Sequence, residues 1–311
     1  MTSRLVWLVI TLNLLITSPA LASGTADRLN DRYFLMGSGV LILENLRNQR
    51  QAKVELLDAE GRINDQALAQ ADHVFGFPTA EKKEHFSPRL LFMLSYFADQ
   101  VAPGKKIMIE SAYRSPEYND SIRQQGANAA RTSTHIDGMA LDFWIEGVDG
   151  KMLWETIRAK NCCGVGHYGD KTIHLDAGRP RFWEAATSGT KDPEPDHNRH
   201  IYLSPLYDRY LAGEAVALSL SGISVFNFGI RPQIRLNTTS TVPTVVAELS
   251  LTGSEHTACL KIDSRAATRF LSVALPADMP AGRYSLQMDF CAKPFSRMPD
   301  QIMSQPIEVI R

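Results

Sequence analysis

Ser133-Thr134-His135-Ile136-Asp137-Gly138-Met139-Ala140-Leu141-Asp142 sets a histidine and a carboxylate seven positions apart, and Ile173-His174-Leu175-Asp176 brings a second such pair downstream. Two histidines and an aspartate are a zinc donor set. The ion takes imidazole nitrogen and carboxylate oxygen at about 2.0–2.2 Å, and a catalytic site keeps three protein ligands and one open position. The set read from these residues is His135, Asp142 and His174. Ala140 to Ile145 reads as a strand with Leu141, Phe143 and Ile145 on one face and Ala140, Asp142 and Trp144 on the other. Thr172 to Asp176 alternates likewise: Ile173 and Leu175 turn to a core while His174 and Asp176 share the opposite face. Two such strands side by side would bring Asp142 next to His174, with His135 reaching in from a loop that Gly138 bends.

Ser133, His135, Gly138, Ala140 and Asp142 fill every fixed position of the signature of the zinc D-Ala-D-Ala peptidases, the family of VanX-type dipeptidases and D,D-carboxypeptidases. The stretch resembles that family. Ser111-Ala112-Tyr113-Arg114-Ser115-Pro116 with Asn119 is similar to its substrate-arginine segment, and Gly164-Val165-Gly166-His167-Tyr168 before Ile173 to Asp176 resembles the murein endopeptidase MepK branch. The likeness covers residues 35 to 185. It implies that Arg114 meets the substrate carbonyl or the developing oxyanion, a role suited to a permanently charged, forked donor. The structural alternative for Arg114 is a brace to Glu110 or Asp137. Familiar members of the family carry an acidic residue three before the last zinc histidine, or a histidine two before it, whereas here those places hold Lys171 and Thr172. Asp176 is the first substitute for that base, with His167 and Asp170 behind it. A different register on the family motif would make Asp176 the third ligand and His174 the base.

With 33 basic and 34 acidic residues in 311, the chain has no basic field for nucleic acid. Its length suits two modest domains. Arg4, the apolar run from Leu5 to Ile16 and the small residues Ala20 and Ala22 read as a secretory signal peptide over residues 1–22, since the run is well short of the roughly 20 residues needed to span a bilayer. A periplasmic or otherwise exported location follows, with no membrane span expected in the mature chain. Export permits disulfides. Cys259 with Cys291 is the favoured pair, and the adjacent Cys162 and Cys163 are either a vicinal disulfide or two free thiols.

The expected fold class is α+β: an antiparallel-sheet zinc peptidase domain with flanking helices over residues 23–186, a linker over 187–200, and an all-β immunoglobulin-like sandwich over 201–311. In the first domain the pattern predicts strand over Tyr33 to Met36, a hairpin of Val40 to Leu46 with Gln51 to Leu57, a helix capped at Asn64, a firmer helix opening at Ser87-Pro88, a strand over Lys105 to Ser111, and helices near 117–126 and Met152 to Arg158. In the second, short alternating runs separated by turn residues carry no catalytic constellation, so it reads as a module that binds cell wall or a protein partner. Resemblance and export together imply a zinc peptidase acting on peptidoglycan stem peptides or crosslinks, of D,D- or L,D-endopeptidase or carboxypeptidase type. The competing reading is a non-catalytic zinc-containing envelope protein, as in hedgehog-type relatives.

Overall fold

The computed structural model describes residues 30–126, 129–186, 196–239, 244–254 and 256–311. The expected signal peptide and residues 187–195 of the expected linker lie outside them. Elements of the first half run β1 (Val40–Asn45), β2 (Gln51–Glu55), α1 (Asp65–Phe75), α2 (Thr79–Lys82), α3 (Pro88–Val101), β3 (Lys106–Ser111), α4 (Pro116–Gln124), β4 (Ala140–Ile145), α5 (Gly150–Lys160), β5 (Gly164–His167), β6 (Ile173–Asp176) and β7 (Arg181–Glu184).

Local chemistry starts the helices where the sequence signals them. The Asn64 side chain accepts from the amides of Gln66 and Ala67 at the head of α1, and the Ser87 hydroxyl accepts from Leu90 at the head of α3, whose first residue is Pro88. Each cap satisfies amides that lack an intrahelical partner. Tyr33 to Met36 form no strand. Tyr33 is instead buried against Phe92 of α3, ring centroids 5.2 Å apart, so the short apolar run serves packing rather than pairing.

Seven strands make one sheet in the order β2-β1-β3-β4-β6-β5-β7. The sheet is mixed, not antiparallel as expected. β1 runs parallel to β3, and β5 parallel to β7. The first of these pairs is joined by a long crossover containing α1, α2 and α3, the length of connection that parallel neighbours require. At the centre, β4 and β6 pair antiparallel with Asp142 directly opposite His174 and Leu141 opposite Leu175. Leu141, Phe143, Ile173 and Leu175 are fully buried in a core shared with Leu90 and Leu94 of α3 and Trp154 and Ile157 of α5. Burying each such side chain contributes about 1.5–3 kcal/mol, which pins the register. A one-residue slip would turn those four side chains out and both candidate ligands in.

The second half holds β8 (Tyr202–Pro205), β9 (Arg209–Leu211), β10 (Ala215–Ser221), β11 (Phe228–Thr238), β12 (Val245–Ser250), β13 (Leu260–Ile262), β14 (Leu271–Ala274), β15 (Gly282–Ala292), β16 (Gln301–Met303) and β17 (Ile307–Ile310). A three-stranded sheet, β14-β10-β8, and a larger one built on β12-β11-β15-β17-β9 enclose a single apolar core of residues such as Leu203, Leu218, Ile234 and Leu286. Cys259 and Cys291 are bridged with Cα atoms 5.8 Å apart, and Cys162 with Cys163 form the vicinal pair. No helix among the described residues is long and apolar enough to cross a membrane.

Ion pairs, one of them buried on both sides, join the two halves. Arg89 of α3 pairs with Asp208 and donates to the Pro205 carbonyl at 2.9 Å, while Asp208 also accepts from the Phe34 amide at 2.8 Å. Arg269 pairs with Glu84 at 2.9 Å, and Arg265 pairs with Asp137, whose side chain is 2% exposed.

Candidate metal centre

Strand parity delivers two of the three candidate ligands, and a tight loop delivers the third. Asp142 and His174 leave the cleft face of β4 and β6 as register partners. His135 sits in the loop before β4, where Gly138 adopts a φ of +65° and packs against the Phe77 ring, so that a side chain at 138 would be strained twice over. One ligand atom from each of His135, Asp142 and His174 lies within 4.8 Å of the others, and all three residues are buried.

Hydrogen bonds fix which atoms face inward. His135 Nδ1 lies 2.7 Å from the Ala112 carbonyl, which can only accept, so this nitrogen carries the proton and Nε2 turns its lone pair toward Asp142 Oδ1 at 3.2 Å. His174 Nε2 lies 2.8 Å from Asp176 Oδ2, leaving Nδ1 facing the same Asp142 oxygen at 2.9 Å. With Nδ1 of His135 and Nε2 of His174 as the protonated nitrogens, two imidazole lone pairs and a carboxylate oxygen converge. A cation is what such a buried trio of acceptors fits, and carbonyl and carboxylate supports behind the histidines are the usual outer partners of a metal site. Burial lowers the His135 pKa against the pull of Asp142. For His174 burial also lowers it, but bonds to Asp142 and Asp176 win and raise it. Asp142 itself, though desolvated, is held well below the usual carboxylate range by the two histidines.

Arg114 donates from Nη2 to Asp142 Oδ2 at 2.8 Å and from Nε to Ser111 Oγ at 3.0 Å. It therefore braces the carboxylate oxygen that the histidines leave free, and not Glu110 or Asp137. Asp137 is taken by Arg265 and Glu110 accepts from Thr172.

Asp176 is not placed to act as a base on a water in the cleft. It is fully buried behind His174 and accepts from His174, from the Gly178 amide at 2.8 Å and from both terminal nitrogens of Arg181 at 3.1 and 2.6 Å. Burial would raise its pKa, yet Arg181 and His174 hold it well below the usual range. Its parity was read correctly and its depth was not, because Arg181 lies beyond a turn. His167 is on the wrong side of the sheet. It pairs in register with Ile173, not His174, so its ring points to the helix side, 6.4 Å from Trp154, where Nε2 donates to the Asp170 carbonyl at 3.0 Å. Asp170 is exposed in the turn between β5 and β6.

Three side chains with no role read from sequence stand at the centre. Tyr168 donates its hydroxyl to Asp142 Oδ1 at 3.0 Å, and burial together with Asp142 pushes its phenol far above the ordinary value, so it stays a donor. Trp183 packs on His174 with centroids 4.9 Å apart. Arg181 clamps Asp176. Tyr168 left a trace in the sequence as the last residue of the glycine-rich stretch, and Arg181 and Trp183 as part of the Arg179 to Trp183 run that closes the catalytic unit. The cleft in front of the trio is about 280 Å³.

The family profile described as "Peptidoglycan L,D-endopeptidase MepK" matches residues 37–183. Peptidoglycan L,D-endopeptidase MepK of Escherichia coli (strain K12) is 30% identical over 145 residues, 46% of this chain and 79% of the relative, and that of Shigella flexneri gives the same figures. The chain belongs to the MepK family. A probable MepK of Haemophilus influenzae is 35% identical over 80 residues, 25% of this chain and 43% of the relative. MepK proteins form a metallopeptidase family, and membership makes this chain a metal-dependent peptidase. The matched MepK region holds His135, Asp142, His174, Arg114 and Tyr168, and ends at Trp183.

Proposed function

We propose that this chain is an exported zinc endopeptidase that hydrolyses peptide bonds in peptidoglycan stem peptides and crosslinks, of the L,D type that its relatives' names carry. The observation that carries the reading is the trio of inward-facing acceptors, His135 Nε2, Asp142 Oδ1 and His174 Nδ1, each backed by a partner that fixes its orientation. Zinc suits two imidazoles and a carboxylate. When bound there, it would lower the pKa of a water from about 15.7 to near 7 and polarise a peptide carbonyl.

The chain's own residues do the rest. The Ala112 carbonyl and Asp176 hold the imidazoles in one tautomer each, and Arg181 keeps Asp176 ionised for that purpose. Arg114, with Nε and Nη2 engaged, lines the cleft and keeps Nη1 for the carbonyl or oxyanion of the substrate. A donor already held in place, as Arg114 is, costs no reorganisation as charge develops. Tyr168 gives its one hydroxyl proton to Asp142 Oδ1 and is a second donor to that oxyanion on turning from it. Two sheets around one apolar core make the C-terminal half an immunoglobulin-like sandwich in this reading.

Purified mature chain loaded with zinc should shorten muropeptides joined through L,D bonds, as read by chromatography and mass. Release of products only from D,D-linked muropeptides would overturn the L,D assignment, and no product from either would overturn the peptidase reading.

A further inference from the structure

The cleft in front of the metal trio is not built by the peptidase half alone. Its wall is formed by Ala129, Ala130 and Thr132 to Thr134 before the His135 loop, by Arg114, Tyr168, Arg179, Arg181 and Trp183, and, from the other half of the chain, by His200, Tyr202, Ser221 and Gly222. Those last four lie beyond the stretch that matches MepK, which ends at residue 183.

Their placement follows from strand pairing. Tyr202 opens β8 and Ser221 closes β10, and the two are register partners, so both strands deliver their ends to the same edge of the small sheet. Gly222, at a φ of +71°, lets the chain turn there with its backbone against the His200 carbonyl; a Cβ at 222 would come within 2.6 Å of that oxygen. The Tyr202 hydroxyl donates to Gln305 at 3.2 Å, which holds the ring, and His200 Nδ1 is 2.5 Å from Asp196. The edge is also tied into the ligand loop itself. Gly222 donates its amide to Asp137 at 3.4 Å, and Arg265 pairs with the same carboxylate, two residues after His135. A charged pair with one side chain this buried fixes geometry firmly, since losing either partner leaves an uncompensated charge.

Three arginines and three histidines are among the described residues that line it. Arg114, Arg181 and His200 are matched by Asp142, Asp176 and Asp196, and Arg179 is exposed at the rim. We infer that the C-terminal β half is a working wall of the substrate cleft, in which His200 and Tyr202 contact the substrate and, with Arg179, favour a peptide bearing free carboxylates. This deepens the peptidase reading and rests on it. The C-terminal half is then part of the specificity of the enzyme, in place of a detached module that binds wall or a protein partner.

The test uses the full mature chain and a crosslinked muropeptide with free carboxylates, titrated while Trp183 in the cleft reports through tryptophan fluorescence. His200→Ala and Tyr202→Ala are expected to weaken Kd by about fivefold or more, the scale of a contact worth over 1 kcal/mol. Amidating the muropeptide carboxylates should weaken wild-type binding and shrink the His200→Ala effect. Should Tyr202→Ala fail to fold by circular dichroism, His200→Ala, on the exposed rim, decides. Variants that bind as tightly as wild type overturn the inference. A wild-type chain that binds but cleaves nothing defeats the peptidase reading and leaves the wall standing, whereas one that does not bind overturns the wall.

Discussion

Asp142 concentrates the chemistry of the centre in one carboxylate, with Oδ1 facing His135, His174 and Tyr168 and Oδ2 held by Arg114. Replacing its supports therefore has effects of different kinds. Asp176→Asn removes the charged acceptor behind His174 and should weaken metal affinity by about 10–100-fold, measured by chelator competition. Collapse of kcat at unchanged affinity would instead restore Asp176 as a base. Tyr168→Phe keeps the ring and removes a donor, so kcat should fall by about 10²–10³ with the metal content intact. A variant with wild-type kcat would remove Tyr168 from the reaction. Much of this centre was legible in the sequence. Strand alternation put Asp142 and His174 on one face, and the glycine bend at 138 brought His135 to them. What alternation cannot show is depth. Asp176 shares the face of His174 yet sits beneath it, sealed by Arg181 from past the next turn.

At the scale of elements, pairing parity decides which histidine does what. β5 and β6 match Gly166 with His174 and His167 with Ile173, so His167 belongs to the helix side of the sheet. His167→Leu should keep turnover and cost about 0.5–1.5 kcal/mol in stability by losing the bond to the Asp170 carbonyl, seen as a lower midpoint in urea. A loss of kcat without loss of stability would place His167 back in the reaction. The Cys259–Cys291 bridge spans 32 positions between the approach to β13 and β15. A Cys259→Ser, Cys291→Ser double variant should lose about 3–4 kcal/mol through the freed unfolded chain, checked by denaturant unfolding; an unchanged midpoint would contradict it. The main helices and the central strands were readable because caps and two-residue alternation are local signals. The parallel pairing of β1 with β3 was not, since the partner of a strand is chosen by everything that packs around it.

Across the whole molecule, Arg89, Arg265 and Arg269 bind the two halves. Arg89 with Asp208 is the most enclosed of these pairs, and Asp208→Ala should cost about 3–5 kcal/mol, because Arg89 would remain charged and buried. The measurement is thermal or urea unfolding, and a change under about 1 kcal/mol would mean that water reaches the arginine. No sequence pattern announces that residues 200–222 meet residues 133–137, because the contact closes a long loop and leaves no periodic mark. Both halves nonetheless converge on one claim: that His135, Asp142 and His174 hold a zinc ion. Anomalous diffraction at the zinc edge from crystals of the mature chain tests it most directly. A single strong peak about 2.0–2.2 Å from His135 Nε2, Asp142 Oδ1 and His174 Nδ1 is the predicted result; zinc-soaked crystals with no peak there, or with the ion held by Asp176 in place of His174, would contradict it.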